Sequence, residues 1–278
     1  DKAFINTAIP ELTFPGYVTT IGNDVFNGCT ALTSLTFKPS PSSAALTVGF
    51  NTDGDDEGLF VDSPLTSVNL DREIAYNFPI GSLDTAAEGL FGNKPTLTNI
   101  VLGDQVQTLS PYMFANAGIT ANQYGEYRLK LNKVTTIGKG AFRNTGITHL
   151  QVPSYVTFID DHAFADCESL IEVAIPYCED PVTIGFQPGS SQHGPFYQSP
   201  LKHIWLAREI VLTDAYASAC NEPDEGVFSN EHSSDENLEF LGVEMGSNIQ
   251  TIHPYMFSGL PMTRIDIPGN VTEIKDYA

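Results

Sequence analysis

Four stretches of this chain are variants of one twelve-residue phrase: VTTIGNDVFNGC from Val18, VQTLSPYMFANA from Val106, VTTIGKGAFRNT from Val134 and IQTIHPYMFSGL from Ile249. Short alternating pieces accompany them, LTSLTF at 32–37, ITHLQV at 147–152, LIEVAI at 170–175 and MTRIDI at 262–267, three of them ending in Pro153, Pro176 and Pro268. The unit reads V-x-x-I-G-x-x-A-F-x-x-C-x-x-L-x-x-L-x-I-P, and its shortest copies run about 22 residues, a period that signals a stacked repeat array. Its aromatic recurs as Phe4, Phe26, Phe60, Phe91, Phe114, Phe142, Phe164, Phe196, Phe228 and Phe257.

The pattern carries its own physics. L-x-x-L-x-I alternates apolar and polar residues at period two, which predicts a short strand with one buried face. The A-F piece is expected to make a turn of helix whose Phe plugs the interior. One such unit cannot bury its apolar face alone, so the units must stack into a continuous core. The fold class expected is a leucine-rich repeat solenoid: a β-rich α/β right-handed superhelix with short parallel strands on one face, and short helical or 3-10 turns and insertion loops elsewhere.

The stretch VTFIDDHAFADC, 156–167, gathers Asp160, Asp161, His162 and Cys167 and looks at first like a metal or acid–base site. The repeat argues otherwise. The three polar slots hold Gly-Lys-Gly at 138–140 and Ser-Pro-Tyr at 110–112, which reads as the variable, solvated turn of the unit. Cys167 occupies a slot filled elsewhere by Thr7, Cys29, Ser63, Ala117, Thr145 and Ser199, a small buried position.

A longer period overlies the short one. GLFVDSPLTSVNLDREI at 58–74 matches GPFYQSPLKHIWLAREI at 194–210, and EGLF at 88–91 matches EGVF at 225–228. The expected organisation is one solenoid over 1–278 of about ten repeats, with a five-repeat block duplicated as roughly 1–140 and 141–278. Both ends cut a repeat, so the chain reads as a segment of a longer one. Gly-, Pro-, Ser- and Asp-rich stretches at 38–58, 71–89, 177–195, 207–226 and 229–237 are expected as surface loops.

Charge narrows the function classes. Asp and Glu number 34 against 13 Lys and Arg, a formal charge of −21. A polyphosphate partner would be repelled, and no basic stripe exists to neutralise phosphates, so no nucleic acid is expected. Anionic membrane surfaces are disfavoured for the same reason, and no apolar run is long enough to insert in a membrane. No Gly-x-Ser-x-Gly, His-Glu-x-x-His, Cys-x-x-Cys, phosphate loop or dinucleotide fingerprint occurs, so no catalytic residues are assigned and no enzyme is expected.

On the recurring I-G-x-x-A-F-x-x-C followed by L-x-x-L-x-I-P, the chain resembles the BspA-like leucine-rich repeat family, found in surface proteins of anaerobic bacteria and some protists. The resemblance covers essentially the whole chain. It implies a curved solenoid, secreted or anchored at the cell surface, that adheres to an extracellular protein or glycoprotein ligand. It supplies no catalytic residues.

Binding candidates come from the repeat register, which predicts two outward columns on the strand face. One runs Glu11, Ser34, Ser67, Asn99, Arg128, His149, Glu172, His203, Phe240, Arg264; the other runs Thr13, Thr36, Asn69, Val101, Lys130, Gln151, Ala174, Trp205, Gly242, Asp266. Trp205 is the single Trp of the chain, and the register gives it His203 and Phe240 as companions and Ala174 and Gly242 as row neighbours. Trp205, His203, Phe240, Arg264 and His149 are therefore the candidate ligand-binding residues. The alternative is an insertion loop folded over this face. NTDGDDEG at 51–58 offers Asp53, Asp55, Asp56 and Glu57 as hard oxygen ligands and makes calcium the one cofactor candidate; the expectation is none, because such runs are usually solvated turns. Cys178 and Cys220 lie on insertions of neighbouring repeats and are the candidate disulfide in an oxidising compartment. The expected function is a non-catalytic extracellular binding or adhesion module. The alternatives are a structural spacer of a larger surface protein and a carbohydrate-binding module in which Trp205, Tyr197 or Tyr216 stacks on sugar rings.

Overall fold

The computed structural model describes residues 1–52, 57–78, 85–119, 129–185, 193–220, 222–229 and 240–278. They fall into two compact units, Asp1–Ile119 with Lys130–Val134 and Thr120–Leu129 with Thr135–Ala278.

The first unit contains β1 (Glu11–Phe14), β2 (Thr20–Ile21), β3 (Ser34–Phe37), β4 (Leu46–Val48), β5 (Ser67–Leu70), β6 (Ile74–Tyr76), β7 (Asn99–Leu102) and β8 (Thr108–Leu109). Strands β1, β3, β5 and β7 form one parallel sheet, and β2, β4 and β6 a second. Parallel pairing follows from the repeat itself, since each coil re-enters the sheet travelling the same way. The rows of the first sheet are Glu11–Ser34–Ser67–Asn99 and Thr13–Thr36–Asn69–Val101, the columns expected from sequence.

The second unit contains β9 (Thr136–Ile137), β10 (His149–Gln151), β11 (Phe158–Ile159), β12 (Glu172–Ile175), β13 (Val182–Ile184), β14 (His203–Leu206), β15 (Ile210–Leu212), β16 (Gly242–Met245), β17 (Thr251–Ile252) and β18 (Glu273–Ile274). It repeats the arrangement, with β10, β12, β14 and β16 in one parallel sheet and β9, β11, β13 and β15 in the other. Strands β17 and β18 pair separately. The stretch 262–267, expected as a strand, has no ladder among the described residues.

Two expectations are corrected here. The insertions are not only loops, because β4, β6, β13 and β15 lie inside them and extend the second sheet. LTV and VTI alternate like the T-I of the minimal unit, and their outer residues are buried. The A-F piece is not helical either. Residues two before and two after the Phe take positive φ, as at Asp24 and Gly28, Tyr112 and Asn116, and His162 and Asp166. A left-handed residue on each side stops a helix from propagating. The described helices are one α-helix, Asp214–Ala219, capped by the Thr213 side chain, and a 3-10 turn, Pro223–Glu225, both within an insertion.

These Phe turns form a third wall. Its amide of one repeat donates to the carbonyl of the next, as in Phe4 to Val25 at 3.0 Å and Asn6 to Asn27 at 2.8 Å, or Phe142 to Ala163 and Asn144 to Ala165, both 2.8 Å. Inside the wall the rings stack. Phe4, Phe26, Phe60, Phe91 and Phe114 make one column, with centroids 5.0–5.6 Å apart. Phe142, Phe164, Phe196, Phe228 and Phe257 make the other at 5.4–5.8 Å. Such spacing gains ring–ring attraction in addition to burial.

Beside each column runs the small slot read as buried from sequence. Cys29 Sγ donates to Phe4 O at 3.0 Å, Cys167 Sγ to Phe142 O at 3.2 Å and Ser199 Oγ to Phe164 O at 2.8 Å. In these three copies a short side chain gives its hydrogen to the Phe carbonyl one repeat back, while Thr145 in the same slot donates to Phe142 O of its own repeat at 2.8 Å. Lys94 fills the same slot in its repeat. It is buried and donates to Val61 O at 2.6 Å, and burial brings its pKa down to about 8.

Candidate functional site

The β10–β12–β14–β16 sheet of the second unit turns alternate residues outward. In β14 the run His203–Leu206 is half-buried, buried, exposed, buried. Ile204 and Leu206 are fully enclosed while Trp205 is 40% exposed. The indole thus stands on a strand pinned from beneath by two core side chains and from both sides by parallel partners.

The outward rows are His149–Glu172–His203–Gly242 and Gln151–Ala174–Trp205–Glu244. They match the expected columns up to β14 and depart from them at β16. Gly242 lies beside His203, not Trp205, and the residue beside Trp205 is Glu244. Phe240 precedes the strand and is half-buried. The error has a physical origin: a two-residue shift preserves the in-and-out alternation, so period two cannot distinguish the registers. Val243 takes the core position and Leu241 is left 69% exposed.

His203 sits between two carboxylates. Its Nδ1 is 3.9 Å from Glu172 Oε2 and its Nε2 is 3.3 Å from Glu244 Oε1. His149 is half-buried at the other end of its row, with Nδ1 2.8 Å from Thr148 Oγ1. Arg264 is not part of this sheet and makes a two-pronged pair with Asp266, at 2.8 and 3.0 Å from its Nη2. The sheet therefore brings together Trp205, His203 and, at its edge, His149, and leaves Phe240 and Arg264 off the strand rows. Sequence reasoning missed Glu244. The signal for it was Val243, whose choice as core residue sets the register.

The remaining candidates disperse. Asp53, Asp55 and Asp56 lie outside the described residues. Glu57 exchanges backbone hydrogen bonds with Asn51 at 2.8 and 3.0 Å, closing the neck of that loop. Among the described residues no group of three or more His, Cys, Asp or Glu is placed to hold a metal ion. Cys178 and Cys220 are both half-buried and are not joined in a disulfide, and the Cys220 thiol donates to Pro254 O at 3.6 Å. Tyr216 is buried, with its hydroxyl donating to Glu225 O, and so presents no ring to a sugar. Tyr197 is half-buried and stacks on His193 at 3.9 Å.

Residues 160–162 are not the solvated turn expected of them. Asp160, Asp161 and His162 are all buried. Asp161 Oδ2 meets His162 Nδ1 at 3.1 Å, and the His162 ring packs edge-on against His193 and Tyr197. The following repeat carries the 177–195 insertion, and His193 and Tyr197 from its end cover the turn. Burial, and then the neighbouring Asp161 charge, push the Asp160 carboxyl up to about 6. Cys167 is enclosed completely, and burial pushes its thiol up to about 11, so it is protonated and unreactive at neutral pH.

The family described as the BspA type leucine rich repeat region matches residues 1–48, 66–171 and 217–278, in six copies. No curated protein matches the sequence. A crystal structure of a leucine rich cell surface protein from Faecalibacterium prausnitzii A2-165 is similar at 17% identity, over 99% of this chain and 71% of that one, with a TM-score of 0.27.

Proposed function

The chain belongs to the BspA-type leucine-rich repeat family, and we propose that it works outside the cell as a non-catalytic binding module for an extracellular protein or glycoprotein. One observation carries the reading: the single Trp is held outward, 40% exposed, on a strand whose alternate residues are fully buried. A large apolar ring kept in water by a rigid scaffold is costly to leave bare and rich in binding energy once covered. The insertions beside the sheet supply variable surface around a constant frame, the usual division of labour between loops and scaffold.

The test is a binding panel of extracellular-matrix glycoproteins and glycans, run with the native chain and with Trp205→Ala. Saturable binding that the substitution removes is the expected result. Binding that survives the substitution moves the contact from the strand face to the insertions. A folded, monodisperse protein that binds nothing in the panel would overturn the binding role in favour of a spacer.

A further inference from the structure

We propose that the partner docks a basic polypeptide segment on this face, with an arginine or lysine side chain lying on the Trp205 ring between Glu172 and Glu244. The inference rests on the binding role just given and names the chemistry of its ligand.

Charge is the first argument. The eight outward positions of the sheet are His149, Gln151, Glu172, Ala174, His203, Trp205, Gly242 and Glu244, and none is Lys or Arg. Two are carboxylates, one on each strand flanking β14, so each lies about 4.8 Å from the Trp strand. Lys202, the residue just before β14, is half-buried. The face is anionic in a chain whose formal charge is already −21. A basic segment is steered toward such a surface, and an acidic or phosphorylated one is repelled.

Shape is the second. Trp205 has a small neighbour, Ala174, on one side, and Gly242 lies diagonally on the other. A Cβ built on Gly242 would meet nothing within 4 Å. The indole thus rises beside open floor instead of being boxed in by bulky neighbours. The carboxylates stay available: the Glu244 side chain is 71% exposed and that of Glu172 is 38% exposed, and their contact to His203 is at 3.3 and 3.9 Å. A planar guanidinium can lie on an indole face while its edge donates to a carboxylate, the combination this row presents. A neutral sugar would use the ring but bring no charge to either carboxylate.

The experiment uses the full 278-residue chain and a fluorescein-labelled arginine-rich nonapeptide. Anisotropy reports binding, and the intrinsic fluorescence of the single Trp reports where the peptide sits. Saturable binding with a matching change in Trp emission is expected at 50 mM salt. Trp205→Ala should weaken it by about tenfold or more and Trp205→Phe by less, because a phenyl ring is a poorer cation partner. Glu172→Gln with Glu244→Gln should weaken it about fivefold, while Glu179→Gln, an exposed charge off the strand rows, should leave it unchanged. Every single Trp205 variant keeps the full negative charge, so diffuse attraction is the same in all of them. Equal binding by Trp205→Ala, or an unchanged Trp spectrum at saturation, would overturn the proposal. So would a glycan that perturbs the Trp while the peptide fails to compete with it. In that last case, or if a panel ligand binds but the peptide does not, the basic-partner inference falls and the binding role stands.

Discussion

The guanidinium of Arg208 reaches the carbonyl oxygen of Val156, 52 residues earlier in the chain, at 2.7 Å. The same side chain donates through Nε to Asp180 O at 2.6 Å and through Nη2 to Pro181 O at 3.1 Å. It is fully buried and ties the 177–195 insertion to the repeat before it. Arg72 does the same in the first unit, donating to Val18 O at 2.8 Å and Ala44 O at 3.2 Å. The cation is held by carbonyl dipoles in place of a carboxylate. Removing it leaves several buried acceptors without a donor.

Arg208→Ala should therefore lower the unfolding free energy by about 3–5 kcal/mol. Arg208→Lys should recover little of this, because an ammonium cannot spread donors over three carbonyls in that fork geometry. Urea titration followed by circular dichroism measures both. A loss under about 1 kcal/mol for the alanine variant would contradict the bridging role.

Cys167 offers a test of the slot beside the Phe column. Cys167→Ser should cost little, since Ser199 fills the same slot and donates to Phe164 O at 2.8 Å. Cys167→Val keeps the apolar volume but removes the hydrogen given to Phe142 O, and should cost about 1–3 kcal/mol. Thermal melts of the two variants are the comparison. With its thiol pushed up to about 11 and enclosed, Cys167 should also resist iodoacetamide until the chain unfolds.

Asp160 should make stability depend on pH in a direction unusual for a carboxylate. Burial raises its pKa from 3.8 to about 6, so the folded chain holds this proton more tightly than the unfolded one. The favourable contribution is complete below pH 4 and is lost as pH rises to about 6. Asp160→Asn removes the cost of the buried charge and keeps an oxygen for the Asp161 amide, now 3.1 Å from Asp160 Oδ1. It should raise stability at pH 7.5 by roughly 2–3 kcal/mol and leave it nearly unchanged at pH 4. Denaturant curves at the two pH values decide it, and an equal effect at both would show that ionisation is not the cause.

Gly226 tests how closely the repeats approach. A Cβ there would lie 1.8 Å from Tyr255 O, a backbone atom with no freedom to swing away. Gly226→Ala should destabilise by more than about 2 kcal/mol. Gly269→Ala is the control, because a Cβ there meets nothing within 4 Å, and its effect should stay within about 1 kcal/mol of zero. Differential scanning calorimetry of the pair would show the contrast, and equal melting temperatures would refute it.

Trp205 shows how far the candidate site was legible in the sequence. Its outward direction followed from the alternation H-I-W-L, and its neighbour Ala174 followed from the repeat count. The neighbour on the other side did not, because Leu241 and Val243 are equally apolar and two residues apart. Tyr216 was misjudged for a different reason. It lies in an insertion where no repeat pattern applies, and its burial depends on the chain folding back so that its hydroxyl meets Glu225 O.

Sequence alone determined the stacked-repeat architecture, the inward and outward sides of the main strand face, the recurring Phe and the small buried slot beside it. Each of these recurs from repeat to repeat, so it survives local noise. Tertiary structure alone decided the burial of residues 160–162, the carbonyl bridges of Arg72 and Arg208, the strands inside the insertions and the pairing of Glu244 with Trp205. Those depend on which neighbour a particular repeat meets and on how an insertion of particular length returns to the stack. A contact made once, between residues tens of positions apart, leaves no period to read.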